Sequence, residues 1–141
     1  MSTGLNDDDR KTFAGIADVL IPAAEGMPAA SEIGIQGEIL DKVLGFRPDL
    51  RENLLRGLRA VKGKAAREAA EFLNKTDGTA FGAISLAASA GYYMDPKVRK
   101  LIGYPGQENR PYNADETPEY VRNGMLKVVS DRGPIYKPTP K

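Results

Sequence analysis

The residues of this chain that could take part in chemistry are its carboxylates, lysines and tyrosines, because the sequence contains no histidine and no cysteine. Without imidazole or thiol groups there is no Ser-His or Cys-His pair, no thiolate nucleophile and no sulfur-ligated metal or cluster. Acid–base catalysis by tyrosine or lysine is the enzymatic alternative that remains. We expect instead a chain that is not an enzyme by itself, with no catalytic, cofactor-binding or metal-binding residues.

Three consecutive carboxylates, Asp7, Asp8 and Asp9, form the first candidate cluster. A calcium loop alternates its oxygen ligands along the chain, and three adjacent aspartates lack that spacing. Carboxylates are also favourable in the first turn of a helix, where the helix dipole is positive. We therefore interpret these aspartates as the start of a helix rather than as a metal site.

A basic stretch between residues 47 and 67 is the second candidate. Only Asp49 and Glu52 offset its charge, so it could form a face for nucleic acid or phosphate. Its cations are spread around the predicted helix, however, and no aromatic residue is interleaved with them. We expect a solvated helix surface, and we keep a free-standing nucleic-acid-binding module as the alternative function. The stretch contains Arg47, Arg51, Arg56, Arg59, Lys62, Lys64 and Arg67.

The aromatic residues are divided by position, since all four phenylalanines lie within residues 13–81 and all six tyrosines within residues 92–136. Phenylalanine favours a dry core, whereas tyrosine joins an apolar ring to a hydroxyl that needs a partner and is enriched at protein interfaces. The sequence therefore predicts a core in the first part of the chain and a contact surface in its C-terminal third.

Apolar side chains recur at helical spacing in three successive segments, which predicts three helices. These helices would position the candidate residues described above. The first segment closes at Pro22, the second ends near Gly45 and the third begins after Pro48. Whether Gly63 breaks the third helix or only bends it stays open. The apolar faces consist of Phe13, Ile16, Ala17 and Leu20, then Ile35, Ile39, Val43 and Leu44, then Leu50, Leu54, Leu58 and Val61.

The segment from Thr79 to Tyr93 is apolar or small on every face, which predicts a central helix surrounded by others. The uncharged run that contains it is shorter than the roughly 20 residues of a bilayer span, so we expect no membrane insertion. Asp95 and Pro96 then predict the N-cap and first position of a short helix, and Gly103 predicts its end. No strand pattern competes with the helices.

We predict an all-α fold in which residues 1–106 form a compact bundle of five or six helices. Residues 107–141 are predicted to form an extended, Pro/Tyr-rich C-terminal arm, since six of the ten prolines lie between Pro105 and Pro140. Helical periodicity in the arm is limited to a short segment around residues 119–129. Such an arm has little core of its own, so we expect it to wrap around a partner.

Three parts of the sequence resemble the gluconate 2-dehydrogenase subunit 3 family. They are the opening FAGIADVLIPAAEGMPAASEIGIQGEILDKVL, the central small-residue helix, and above all GYYMDPKVRKLIGYPGQENRP. The resemblance covers roughly residues 12–111. Its most specific elements are Gly-Tyr-Tyr at residues 91–93, Asp-Pro at residues 95–96 and Gly-Tyr-Pro-Gly at residues 103–106.

Members of this family are small all-helical partners of flavin-dependent dehydrogenases of the glucose-methanol-choline type. The resemblance implies a non-catalytic accessory subunit with no cofactor of its own. FAD would belong to a large partner subunit that oxidises a sugar or alcohol, and the small subunit would support the folding, stability or export of that flavoprotein. We expect this protein partner and no nucleic acid.

Two features depart from the family pattern: members often begin with a twin-arginine export signal and some carry cysteines, and both are absent from this sequence. We therefore expect a cytoplasmic complex. The alternative is a periplasmic complex whose export signal lies on the large subunit or was removed from this chain.

The tyrosines and prolines after residue 90 indicate where the partner would bind. Tyr92 and Tyr93 are expected to end the central helix, and Tyr104 and Pro105 to turn the chain outward. Both residue types present apolar area with little conformational freedom to lose. The alternative is that the first three tyrosines fill the core of the bundle itself. The predicted partner-binding residues are Tyr92, Tyr93, Tyr104, Pro105, Arg110, Pro111, Tyr112, Tyr120 and Tyr136.

Overall fold

The computed structural model describes residues 4–109, 111, 119–135, 137 and 139, and every regular element within these residues is helical. An isolated bridge between Ala24 and Met27 is the sole extended pairing among them. The predicted all-α class is confirmed. Contacts divide the chain into two units, Met1–Gly106 and Gln107–Lys141.

The first unit has six α-helices in its described part, which agrees with the predicted five or six. Two 3₁₀ turns, Ser31–Ile33 and Pro48–Leu50, and a π-helical turn, Ile35–Ile39, connect some of them. The helices are α1 (Asp7–Leu20), α2 (Leu40–Phe46), α3 (Arg51–Ala60), α4 (Ala66–Thr76), α5 (Gly78–Met94) and α6 (Pro96–Leu101).

Helix α1 begins with a capping box that uses one of the three aspartates. The Asp9 amide donates to Oδ1 of Asn6 at 2.8 Å, and the Asn6 amide donates back to Oδ2 of Asp9 at 3.2 Å. These two bonds satisfy backbone donors that the helix itself leaves unpaired. The prediction that the aspartates start a helix is confirmed.

A π-helical turn precedes α2, where the sequence predicts one continuous helix from Ile35. Gly37 departs from helical geometry there, with φ −93° and ψ −131°. Arg10 on α1 donates through Nη1 to the carbonyl oxygens of Gln36 and Gly37, at 2.7 and 3.3 Å, and its Nη2 pairs with Asp41 at 2.8 Å. A glycine with weak helical preference and a guanidinium that binds the freed carbonyls together account for the difference.

Gly63 separates α3 from α4 rather than bending one long helix. Its φ of +82° lies in the left-handed region, which a glycine adopts without a steric penalty. Gly63 therefore breaks the predicted third helix into two helices, and both of them pack on α5.

Helix α5 is the central helix, as predicted, and it contacts all five other α-helices of the first unit. Two glycines allow this close packing. A Cβ atom on Gly57 would lie 2.9 Å from Cβ of Ala80, and one on Gly91 would lie 2.9 Å from Cγ2 of Ile39. Among the described helices, none combines the length and the apolar character that crossing a bilayer requires.

The expectation that the phenylalanines lie in the core is correct for only part of the set. Phe13 is fully buried and Phe81 packs partly against the core, but Phe46 is 75% exposed and Phe72 is also exposed. Phe46 ends α2 on the side away from the buried residues of that helix. The Phe72 ring lies instead under the Lys64 ammonium, with Nζ 5.2 Å from the ring centroid.

The second unit contains two short helices in its described residues, α7 (Glu119–Arg122) and α8 (Met125–Arg132). Gly124, with φ +80°, separates them, whereas the sequence predicts one short helix in an otherwise extended arm. Neither helix has a buried residue within this unit.

Candidate functional site

Six of the nine predicted contact residues are described by the structure, and three are not. Arg110, Tyr112 and Tyr136 lie outside the described residues. Pro111 and Tyr120 belong to the second unit, where both are exposed. Tyr92, Tyr93, Tyr104 and Pro105 belong to the first unit.

Tyr92 is a core residue, which corrects its prediction as a partner contact. Only 3% of the residue is exposed, and its hydroxyl donates to the carbonyl oxygen of Pro28 at 2.6 Å. Burial raises the pKa of this hydroxyl, and the nearby charges of Tyr93, Glu32 and Asp95 add to the effect. The alternative that this tyrosine fills the core of the bundle is the one that the structure supports.

Tyr93 lies one position further along α5 and points out of the core, with 58% of the residue exposed. Its ring meets the Tyr92 ring edge to face, with the centroids 5.6 Å apart and an interplanar angle of 86°. Since consecutive helical residues point about 100° apart, one tyrosine of the pair can be buried while the other faces outward.

Helix α6 follows at once, with the caps that its sequence predicts. The Asp95 carboxylate accepts hydrogen bonds from the amides of Lys97 and Val98, at 2.9 and 3.0 Å. Val98 is the residue that α6 buries. These contacts hold a helix of only six residues in place at the end of α5.

The end of α6 is a Schellman motif centred on Gly103. Gly103 has φ +69°, its amide donates to the Lys100 carbonyl at 3.1 Å, and the Tyr104 amide donates to the Arg99 carbonyl at 2.9 Å. This reversal brings the Tyr104 ring under the Arg99 guanidinium, whose central carbon lies 5.5 Å from the ring centroid. Tyr104 is still 51% exposed, so the rings of Tyr93 and Tyr104 are both accessible.

The segment from Tyr93 to Pro105 therefore presents a set of exposed apolar side chains, which we call the 93–105 surface. Leu101 and Ile102 belong to it, although the sequence prediction omits them. Their spacing of three and four residues from the buried Val98 would have placed them in the core, so the sequence pattern offered no signal of their exposure. The 93–105 surface consists of Tyr93, Met94, Leu101, Ile102, Tyr104 and Pro105.

The basic stretch of residues 47–67 is largely paired with carboxylates. Arg56 binds Asp77 at 2.8 Å, and Lys62 binds Asp8 at 2.7 Å. Hydrogen bonds from these cations hold the pKa of each aspartate below its usual value. Five of the seven cations have a carboxylate within 4.0 Å, and the pairs are Arg47–Asp49, Arg56–Asp77, Arg59–Asp9, Lys62–Asp8 and Lys64–Glu68.

These pairs also account for two of the three N-terminal aspartates, Asp8 and Asp9. In the part of the chain that the structure describes, no group of three or more metal-ligating side chains is positioned to hold an ion. The 93–105 surface, with its exposed rings and aliphatic side chains, is suited to binding a protein.

No family model, curated protein or solved structure matches this chain. The resemblance to the gluconate 2-dehydrogenase subunit 3 family stays a prediction that rests on the sequence motifs. The most specific of those motifs lie in the segment that forms the 93–105 surface.

Proposed function

We propose that this chain is the non-catalytic small subunit of an FAD-dependent sugar or alcohol dehydrogenase complex. It would support the folding, stability or export of the flavoprotein subunit, and FAD would be held by that partner. The observation that carries the proposal is the exposure of Tyr93, Leu101, Ile102 and Tyr104 in the segment where the family resemblance is most specific.

Exposed apolar groups of this kind favour an interface over a solvated surface. Tyrosine is enriched at interfaces because it offers a large, stiff contact area with a polar end. The local backbone is also held firmly, since Asp95 caps α6 and Gly103 ends it. A surface that is already ordered loses little conformational entropy when a partner binds.

The alternative function, a nucleic-acid-binding module at residues 47–67, has less support. Phosphate binding requires cations that can exchange their counterions for phosphates. Arg56 and Lys62 already have aspartate partners, and Asp77 and Asp8 would repel a phosphate brought to them. For the compartment, we propose the cytoplasm, with a periplasmic complex as the alternative.

The first check is whether a flavoprotein dehydrogenase is encoded beside this chain in its genome, and the test is to co-express the two chains. Co-expression should raise the yield of soluble, FAD-containing flavoprotein, and the two chains should elute together in size-exclusion chromatography. Tyr93→Ser and Tyr104→Ser should each weaken co-elution without lowering the thermal stability of the free small subunit. Phe46→Ser is the control, because it removes an exposed aromatic ring from a different place, the end of α2.

Two results would contradict the proposal. One is a flavoprotein that is equally soluble, stable and active without this chain. The other is FAD bound to the purified small subunit alone, which flavin absorbance would reveal.

A further inference from the structure

A groove of about 470 Å³ lies where α6 meets the turn that follows it. One wall is the exposed side of α6, and the other is the Gly103–Pro105 turn produced by the Schellman motif. The groove combines cationic side chains with apolar rings. It is lined by Pro96, Arg99, Lys100, Gly103, Tyr104 and Pro105.

Most cations of residues 47–67 have a carboxylate partner, whereas the structure shows none for the cations of α6 among the residues that it describes. Lys97, Arg99 and Lys100 form no ion pair within the described residues, and the sequence has no acidic residue from 96 to 107. The nearest carboxylate along the chain, Asp95, accepts hydrogen bonds from the backbone at the opposite end of the helix. Within the described residues, the unpaired charges of Arg99 and Lys100 therefore make the groove positive.

The Arg99 side chain lies against the turn that follows α6. Its guanidinium lies over the Tyr104 ring, and a Cβ atom at residue 106 would come within 2.5 Å of its Nη2. Gly106, with φ +97°, is thus the residue that leaves room for this side chain. The guanidinium donates no side-chain hydrogen bond within the described residues, so its donors are open to a ligand.

We propose that this groove binds an acidic segment of the partner flavoprotein, with carboxylates facing Arg99 and Lys100 and an apolar side chain against Tyr104 and Pro105. A guanidinium binds a carboxylate through two parallel hydrogen bonds, and the Tyr104 ring beside it offers apolar area to the same segment. The apolar walls favour a peptide over a simple anion. This inference rests on the proposed function, because it names the chemistry by which the partner is recognised.

The first test compares two double variants in the complex with the flavoprotein. Arg99→Gln with Lys100→Gln removes two charges from the groove. The control, Lys42→Gln with Lys75→Gln, removes two exposed charges from α2 and α4 that have no ion pair in the described residues. The groove variant should weaken binding by about tenfold at low salt, and the control should not. The loss should shrink between about 50 and about 500 mM salt, as screening increases.

The outcomes separate the two proposals. If the unsubstituted chain fails to bind the flavoprotein, the proposed function is wrong. If it binds and the groove variant binds equally well at low salt, the groove is not the recognition site and this inference is wrong, whereas the proposed function stands. Thermal unfolding of each variant checks that the fold is retained.

A second test uses the isolated chain and does not depend on the flavoprotein. A synthetic peptide, Pro-Glu-Glu-Phe-Asp-Pro, should shift the amide resonances of residues 99–104 and 106 in a saturable way. Its Gln and Asn counterpart should not shift them. Equal shifts from both peptides, equal shifts from inorganic phosphate, or tighter binding of a single-stranded oligonucleotide would each overturn the acidic-peptide assignment.

Discussion

The Tyr92 hydroxyl donates a hydrogen bond to the Pro28 carbonyl oxygen across 2.6 Å, in a buried site that links the end of α5 to the loop after α1. The two residues are 64 positions apart in the sequence. The bond therefore holds the start of the α6 segment against a distant part of the chain. It also distinguishes Tyr92, a structural residue, from its neighbour Tyr93, which faces outward.

Tyr92→Phe should lower the free energy of unfolding by about 1 to 2 kcal/mol, because the buried Pro28 carbonyl loses its donor while the ring still fills its space. Urea denaturation measures the change. Tyr93→Phe is the control and should stay within about 0.5 kcal/mol of the unsubstituted chain, since its hydroxyl is on the surface. Equal effects of the two substitutions would show that the buried hydrogen bond contributes nothing measurable.

The same hydroxyl predicts a loss of stability in alkaline solution. Burial raises the pKa of Tyr92 above the ordinary value of 10.0, so the unfolded chain releases this proton at lower pH than the folded chain does. The stabilisation by the buried Tyr92 hydroxyl is complete below pH 10.0 and is lost as the pH rises through the pKa that the hydroxyl has in the folded chain. The difference in unfolding free energy between the unsubstituted chain and Tyr92→Phe should hold steady from about pH 8 to about pH 10 and shrink as the pH rises further to about pH 11. A difference that is constant over this range would contradict the shift.

Three glycine-to-alanine substitutions should change the stability of the chain in opposite directions, although all three glycines lie inside helices. Gly82→Ala should stabilise the chain by about 0.5 to 1 kcal/mol, because the position is exposed, has no neighbour within 4 Å of a new Cβ atom and favours alanine in a helix. Gly57→Ala and Gly91→Ala should destabilise it by about 1 to 3 kcal/mol, because each new methyl group would overlap a side chain across the helix interface. Thermal unfolding of the three variants provides the comparison. A stabilising Gly57→Ala would mean that α3 and α5 can separate at little cost.

Asp77 has two roles that substitutions can separate. Its Oδ1 accepts from the Ala80 amide at 3.0 Å at the start of α5, and the carboxylate also binds Arg56. Asp77→Asn keeps a capping acceptor but loses the ion pair, and Asp77→Ala loses both. We expect the urea midpoint to fall in the order unsubstituted chain, Asp77→Asn, Asp77→Ala.

The pKa of Asp77 provides an independent check on that ion pair. The hydrogen bonds from Arg56 and from the Ala80 amide lower the pKa below 3.8, so the stabilisation is present above that value and is lost as the pH falls through the folded pKa. Acidification should therefore reduce the difference in unfolding free energy between the unsubstituted chain and Asp77→Ala. If this difference is unchanged in acid, the destabilisation by Asp77→Ala comes from helix propensity alone.

The helices and their ends were predictable because they depend on neighbouring residues. The helix start at Asp7–Asp9, the Asp95–Pro96 start of α6 and its end at Gly103 all follow from local backbone requirements that the sequence states directly. The uniformly apolar character of α5 likewise indicated a central helix. Two of the site residues, Tyr104 and Pro105, follow from the same turn.

The partners of individual side chains were decided only by the tertiary structure. Periodicity does not distinguish a buried Tyr92 from an exposed Tyr93, because either could face the core until the rotation of α5 is fixed by its contacts. Arg56 belongs to a stretch that the sequence describes as solvated, yet it meets Asp77 across 21 positions. Phe46, apolar by type, is left outside because the buried face of α2 ends before it.

The sequence by itself thus determined the helical class, most helix ends and the turn that carries Tyr104, since each of these depends on interactions within a few residues. Only the tertiary structure decided that Tyr92 bonds to Pro28 and that Arg56 pairs with Asp77. These contacts depend on how helices far apart in the chain rotate and pack, and the free energy of that packing is shared among all the side chains of the core.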